Sequence, residues 1–309
     1  MKWTGKLSAL VLGALTVATM YSVSVGGEPR RPHIWRIAQV TLLSTDVPAA
    51  RDFYEKLLPA GHIACEGCAK VPNNTFMVNS GQSIYLSRAS SPVPANLLVS
   101  VAFATDNLAE LRRYLVAQGV ECSPPASEKL AATLLSVRDP EKHNILFLKQ
   151  PHYPELRFAR EPEEKLQIIH AGFIVHDRGA TERFYKDILG FRPYWHGGMK
   201  DDQIDWVSMQ VPDGTDWLEF MVNVLPDADQ RLRGVMNHIA LGVPDIHAAE
   251  AQLRKNGWTG TEQPKIGRDG KWQLNLYDPD DTRVEFMEFT PTQKPCCSEF
   301  TGPHPGQHP

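Results

Sequence analysis

One succession of strand, helix and strands occurs four times in this chain, and that recurrence limits its fold more than any other feature of the sequence. From Gln167 the chain reads IIHAGFIV, then DRGATERFYKDILGF, then DWVSMQV and WLEFMVN. The first segment alternates as a strand, the second places Phe184, Ile188 and Leu189 on one side of a helix stopped by Gly190, and the last two are strands again. From Asn237 the order returns as NHIALGV, DIHAAEAQLRKNG with Gly257 as the stop, WQLNLYD and RVEFMEF. Two earlier copies start at IAQVTLLSTDVPAARDFYEKLL, followed by QSIYLS, and at LLVSVAFATDNLAELRRYLVAQG, followed by NILFLKQ. Each unit takes roughly 55 residues, the length of one supersecondary repeat. An α+β protein is therefore expected, with four β-α-β-β-β modules in two pairs, each pair a concave mixed sheet with helices outside.

The pairs occupy residues 36–150 and 167–289, with proline-bearing stretches between units. After Phe289 the chain has several prolines and no apolar periodicity, so residues 290–309 are expected to form a flexible tail. The first 27 residues differ from the rest: Lys2 and Lys6 precede an uncharged run from Leu7 to Gly27 that ends in small residues. That layout predicts a signal peptide or, since the run is about as long as a bilayer span, a membrane anchor. Either way the remainder is secreted, periplasmic or anchored facing outward. A formal charge of -4 supplies no field for nucleic acid, so no nucleic-acid partner is expected. Five cysteines are too few for a disulfide-built fold. Cys65 and Cys68 form a C-x-x-C that admits a local disulfide, redox chemistry or half a zinc site.

Chemistry concentrates in units three and four. His170 lies in the first strand of unit three and His238 at the matching place in unit four, while Glu219 and Glu285 sit in the last strands of the same units among apolar neighbours. Strand alternation puts Glu285 on one face with Arg283 and Met287, and sends Val284 and Phe286 toward the helices. A carboxylate recurring in an apolar strand is costly unless paired, protonated or bound to a cation. Two imidazoles and two carboxylates at equivalent positions would converge between the units and hold one divalent metal. Zn, Ni, Co, Mn and Fe all accept such ligands.

These residues resemble the vicinal oxygen chelate superfamily, whose branches include glyoxalase I, bleomycin-resistance proteins and extradiol dioxygenases. ERFYKDILGF is similar to that family's first helix, RGVMNHIALGVPDI to the strand carrying its central histidine, and LYDPDDTRVEF to its D-P-D-G-x-x-x-E hairpin, with Asp281 replacing the glycine. The likeness is close over residues 168–289 and loose over 36–150. It places the family's four metal positions on His170, Glu219, His238 and Glu285. Unit alignment on helices and hairpins sets Gln39, Leu86, Ser100 and Leu146 at the corresponding places of the N-terminal pair, which implies a degenerate half that binds no metal.

The four-ligand set resembles the glyoxalase branch, so the resemblance implies a metal-dependent lyase or isomerase. Its substrate would be a small oxygen chelator passing through an enediolate-like intermediate, with Glu285 or Glu219 as the proton-transfer base. Export complicates that assignment, because the branch's thiol-adduct substrate forms in the cytosol. Two alternatives remain open. Extradiol ring cleavage would leave the position of Glu219 without a ligand and uses a further histidine in the last unit, where none occurs between His247 and Glu285. A non-catalytic ligand-binding protein of the bleomycin-resistance kind would usually lack a full quartet. Trp195, beside Tyr194 and His196, and Arg233 are the candidate substrate-binding residues. Lys271 and Arg268 in the GRDGK loop read equally as a charged lid or a solvated turn.

Overall fold

A computed structural model describes residues 29–58, 74–124, 133–150 and 166–306. Residues 1–28, on which the expected signal peptide or anchor falls, and Cys65 and Cys68 lie outside the described residues. Among those described, no helix is long and apolar enough to cross a membrane.

Unit one comprises β1 (Ile34–Ser44), α1 (Val47–Leu57), β2 (Thr75–Asn79) and β3 (Gln82–Arg88). Unit two comprises β4 (Leu98–Thr105), α2 (Leu108–Ala117), β5 (Leu134–Arg138) and β6 (Asn144–Lys149). Together they form a six-stranded sheet in the order β2-β3-β1-β4-β6-β5. Unit three has β7 (Gln167–Ile174), α3 (Arg178–Glu182, running on into a π-helical turn over Arg183–Ile188), β8 (Arg192–Gly197), β9 (Trp206–Gln210) and β10 (Trp217–Met221). A short α4 (Gln230–Met236) leads to unit four: β11 (Ile239–Val243), α5 (Ile246–Lys255), β12 (Lys265–Ile266), β13 (Trp272–Tyr277) and β14 (Arg283–Glu288). These make an eight-stranded sheet ordered β12-β13-β14-β11-β7-β10-β9-β8. The four-module plan holds, with units one and two showing one strand fewer each among the described residues. Residues 59–73 and 125–132 of those units lie outside the described residues.

Each sheet has the same internal symmetry. The first strands of its two units pair antiparallel at the centre, β1 with β4 and β7 with β11, and each pairs parallel with the last strand of its own unit. The helices start at side-chain caps: Asp46, Asn107, Asp177 and Asp245 each accept a backbone N–H of the first turn. Gly190 and Gly257, read as helix stops, take φ of +79° and +90°, where a Cβ would be strained. Asp281 takes φ of +61° in the β13–β14 hairpin, the conformation a glycine would otherwise supply.

One hydrophobic core joins the two halves, because apolar residues of both belong to a single cluster. The halves also grip one another reciprocally. Tyr54 of α1 donates its buried hydroxyl to Asp278 in the DPDD turn of unit four (3.3 Å), and Tyr185 of unit three donates to Asp139 in the matching turn of unit two (3.0 Å). At the seam between the sheets, buried Asp216 accepts from the Ile37 N–H (2.8 Å), Gln82 Nε2 (3.2 Å) and Gln167 Nε2 (2.5 Å). Burial pushes its carboxyl up to about 7, against the pull of Arg36 and of these donors.

Candidate metal centre

The concave face of the eight-stranded sheet gathers the four sequence-selected ligands. His170 is on β7, Glu219 on β10, Glu285 on β14, and His238 immediately precedes β11. Alternation separates the faces as expected: Leu218, Phe220, Val284 and Phe286 join the main core, while Trp217 and Met287 belong to a second cluster on the ligand side. A register shift in the β7–β11 pairing places Ala240 opposite His170 but Leu241 opposite Ile168. This bulge lets Ile169 and His170 face the same side.

The Nε2 atoms of His170 and His238 are 3.0 Å apart. Glu285 Oε2 lies 3.4 Å from His170 Nε2, and Glu219 Oε2 lies 3.4 Å from His238 Nε2. Two ligands about 2.1 Å from one ion stand about 3.0 Å apart at right angles and about 3.4 Å apart at the tetrahedral angle. One ligand atom from each of His170, Glu219 and His238 falls within 4.8 Å of the others. His238 Nδ1 donates to the Met236 carbonyl (2.9 Å), which leaves Nε2 with its lone pair toward the cluster. His170 Nδ1 is buried without a hydrogen-bond partner among the described residues, and the ring is held by packing on Trp217, 4.9 Å between centroids. The donor set thus fits a divalent cation.

Electrostatics agree. Burial raises the Glu285 carboxyl, but Arg283 and the two imidazoles outweigh it and hold it far below its ordinary value. Glu219 is also lowered, burial being outweighed by the His238 hydrogen bond and by the His170 and His238 charges. The His238 imidazole is lowered by burial and by Arg283, which favours the unprotonated ring a metal requires. The two glutamates are not equivalent. Glu285 is nearly inaccessible and has Arg283 at 3.6 Å, whereas Glu219 is 15 % exposed at its side chain and no arginine pairs with it.

The residue pairing refines the comparison with the N-terminal half. His170 pairs with Trp217, two before Glu219, and Gln39 pairs with Ser83, so the counterpart of Glu219 is Tyr85 and not Leu86. Leu86 belongs to the helix-facing core. By the same register Ser100 and Leu146 do match His238 and Glu285. Gln39 spends its amide on Ser83 Oγ (3.0 Å). Gln39, Tyr85, Ser100 and Leu146 form no metal set.

Of the candidate substrate-binding residues, Trp195 lies on the ligand side, buried among Trp206 and Phe300 and donating Nε1 to the Cys296 carbonyl (3.2 Å). Arg233 does not join the cluster: it donates to the Pro226 carbonyl (2.6 Å) and lines a separate cleft of about 230 Å³ with Glu141, His143 and His176.

The segment after Phe289, expected to be a flexible tail, is laid across this face up to residue 306. Thr301 donates to the Pro193 carbonyl (2.6 Å), Ser298 exchanges hydrogen bonds with the His196 backbone, and the adjacent Cys296 and Cys297 are joined by a disulfide. Phe300 packs on Tyr194, and His304 Nδ1 meets the Tyr194 hydroxyl at 2.6 Å. The aromatic Phe300 amid polar residues was the one sequence signal for this docking.

The GRDGK loop separates into two roles. Arg268 is partly exposed and ion-pairs with Asp201. Lys271 is fully buried, its Nζ without a hydrogen-bond partner and set over the rings of Trp217 (4.6 Å), Phe300 (5.3 Å) and Tyr194 (5.6 Å). Burial brings its ammonium down to about 8, against Asp269 and Glu219.

Residues 169–275 match the family model of the glyoxalase/bleomycin resistance protein/dioxygenase superfamily. That segment carries the chain's likeness to the superfamily. The match includes His170, Glu219 and His238 and stops short of Glu285. Among curated proteins, the lactoylglutathione lyase of Haemophilus influenzae is 27% identical over 130 residues, which is 41% of this chain and 96% of that protein. Among solved structures, a variant of homoprotocatechuate 2,3-dioxygenase from Brevibacterium fuscum aligns over 90% of this chain and 75% of its own, with a TM-score of 0.59 and 18% identity. The enzyme of the same name from Arthrobacter globiformis aligns over 84% and 80%, with a TM-score of 0.56 and 17% identity. At such identities these structures establish the shared fold.

Proposed function

We propose that this protein is a metal-dependent lyase or isomerase that moves a proton between adjacent carbons of a small oxygen-chelating substrate. His170, Glu219, His238 and Glu285 would hold one divalent metal. When bound, such an ion supplies Lewis acidity to two neighbouring substrate oxygens and acidifies the C–H beside them. The observation carrying the reading is the convergence of the His170 and His238 imidazoles (3.0 Å) with Glu219, 3.4 Å from His238, and Glu285, 3.4 Å from His170.

The chain's own residues divide the remaining work. The His238 hydrogen bond to Met236 fixes that ring's tautomer and aims its Nε2 at the cluster. Arg283 pins Glu285, so Glu219, accessible and without an arginine, is the better placed of the two to take a proton at one carbon and return it to the next. Trp217 and Met287 keep water from the cluster. The match of residues 169–275 to the superfamily model and the likeness of 130 residues to a lactoylglutathione lyase support this class.

Extradiol ring cleavage has one observation in its favour beyond the shared fold: the tail brings His304 to Tyr194 on this face, an imidazole that the stretch between His247 and Glu285 does not supply. Metal analysis of the purified protein, followed by assays with 2-oxoaldehyde thiol adducts, epimerisable hydroxyketones and catechols, tests both. Ring cleavage with bound iron would overturn the isomerase reading, and a metal-free protein that still binds a ligand would overturn both in favour of a binding protein.

A further inference from the structure

We propose that Lys271 receives a carboxylate of the substrate, whose paired oxygens approach the His170–Glu219–His238–Glu285 cluster and whose apolar body lies against Trp217, Tyr194 and Phe300. The inference rests on the metal reading and adds the substrate's charge and shape to it.

A buried ammonium is expensive, and lysines that serve packing alone are paired or extend their heads into water. Lys271 does neither. Its Nζ is wholly covered, has no hydrogen-bond partner among the described residues, and is faced by three rings at 4.6–5.6 Å. Asp269 and Glu219 act on this ammonium through space, but neither forms an ion pair with it, and Asp269 Oδ1 accepts instead from the Lys271 backbone N–H and from Gln273 Nε2, both at 3.2 Å. Rings can steady a cation but give it no acceptor, so three N–H donors are held ready for an oxygen.

Position makes that oxygen a substrate's. Trp217, over which Nζ sits, packs against the His170 ring with centroids 4.9 Å apart and precedes Glu219 on the same face of β10. A ligand reaching from the imidazoles to the ammonium must cross that indole, which suits a flat or apolar body. A phosphate would bring two charges to a single lysine, and no arginine fork faces this box among the described contacts.

The test uses the full chain loaded with cobalt(II), its absorption bands titrated without oxygen by catechol and by 3,4-dihydroxybenzoate. The two probes share a chelating head and differ by a carboxylate. The wild type should bind the carboxylated probe about ten- to a hundredfold more tightly, the range of a charge-assisted hydrogen bond in a buried site. Lys271→Met, which keeps the stem and removes the charge, should erase that preference, leave cobalt and catechol binding unchanged, and hold or raise Tm, since an unpaired buried charge is gone. Equal wild-type affinities overturn the proposal without any variant. A preference surviving in Lys271→Met, or a fall in its Tm with the preference intact, marks a structural lysine and also overturns it. Lys271→Gln is the second variant if Lys271→Met does not fold. Absence of cobalt bands from the wild type overturns the metal reading itself, whereas bound cobalt without a carboxylate preference overturns only the assignment of Lys271.

Discussion

Replacing Gly172 by alanine should unseat a metal ligand without touching one. Gly172 and His238 face each other across β7 and the start of β11, exchanging backbone hydrogen bonds of 2.8 and 3.2 Å. A Cβ at position 172 would stand 2.1 Å from His238 Cε1, 2.3 Å from Nδ1 and 2.9 Å from Nε2. Carbon atoms in contact rest about 3.5–4.0 Å apart, so the ring must retreat by about 1.4 Å or more. Coordination distances tolerate about 0.2 Å. Withdrawing one of four ligands by several times that tolerance should weaken metal binding at least about a hundredfold, near the upper end for disturbed ligand orientation and equivalent to about 2.7 kcal/mol. The fold should lose less: overpacking costs about 1–3 kcal/mol, and removing a strand glycine returns about 0.5–1 kcal/mol. The measurement is zinc affinity by chelator competition, with urea denaturation of the metal-free protein. Gly242→Ala is the control, since its Cβ would crowd Phe289 and Ile169 at 2.4 and 2.5 Å and not a ligand. Zinc affinity within about threefold of wild type in Gly172→Ala, or equal losses in both variants, would refute the reasoning.

Three further outcomes can be checked. Glu285→Gln should keep the fold but weaken metal binding and remove turnover, because the amide matches the carboxylate's shape and loses its charge; circular dichroism and metal titration read the two effects separately. Leu146→Ala should cost about 1–2 kcal/mol by urea denaturation, less than the roughly 2–5 kcal/mol of a full core truncation, because Leu146 is only half-buried, and zinc affinity should not change. The Asp216 carboxyl, pushed up to about 7 in the fold against about 3.9 in an unfolded chain, contributes stability that is complete below pH 4 and disappears as pH rises through 7. The difference in unfolding free energy between wild type and Asp216→Asn should therefore shift by up to about 4 kcal/mol between pH 4 and 8, and a flat difference would assign Asp216 an ionised state throughout.

What the sequence made legible is what strand and helix periods encode. Because Leu218 and Phe220 alternate with Trp217 and Glu219, and Val284 and Phe286 with Arg283 and Glu285, the face of each glutamate could be read directly, as could the stops at Gly190 and Gly257. The Leu86 position was misjudged by one residue for the same reason: a period of two has no landmark when both neighbours, Tyr85 and Leu86, are apolar, and only pairing with β1 decides which faces the concave side. Lys271 was hidden because a lysine in a glycine-bearing loop ordinarily reaches water. Its burial follows from Phe300, nearly thirty positions later, folding back over it. Tail docking of that kind is built from single contacts, such as Thr301 on Pro193 and His304 on Tyr194, and carries no repeat for a sequence to show.

The family match covers little more than unit three and part of unit four, yet those residues should not make a stable protein alone. Residues 166–306, expressed without the first half, would lose the partners of Asp216 at Ile37 and Gln82 and leave the Ile168 carbonyl and N–H without the Gln82 side chain, which bonds them at 2.9 and 2.8 Å. Tyr185 would lose Asp139, and Phe191 would lose its edge-to-face packing on Phe103, 5.3 Å away. Each buried polar group stripped of its partner costs about 1–3 kcal/mol, and the exposed core adds the transfer cost of every side chain that faced the first sheet. A domain's whole stability is about 5–15 kcal/mol, so several such losses are enough to exhaust it. The fragment should bind a hydrophobic dye, unfold without a cooperative transition, and recover both order and zinc affinity when mixed with residues 29–150. A fragment that melts cooperatively and binds zinc as tightly as the full chain would show instead that the first half is dispensable, and that the reciprocal tyrosine–aspartate grips contribute little to holding the site.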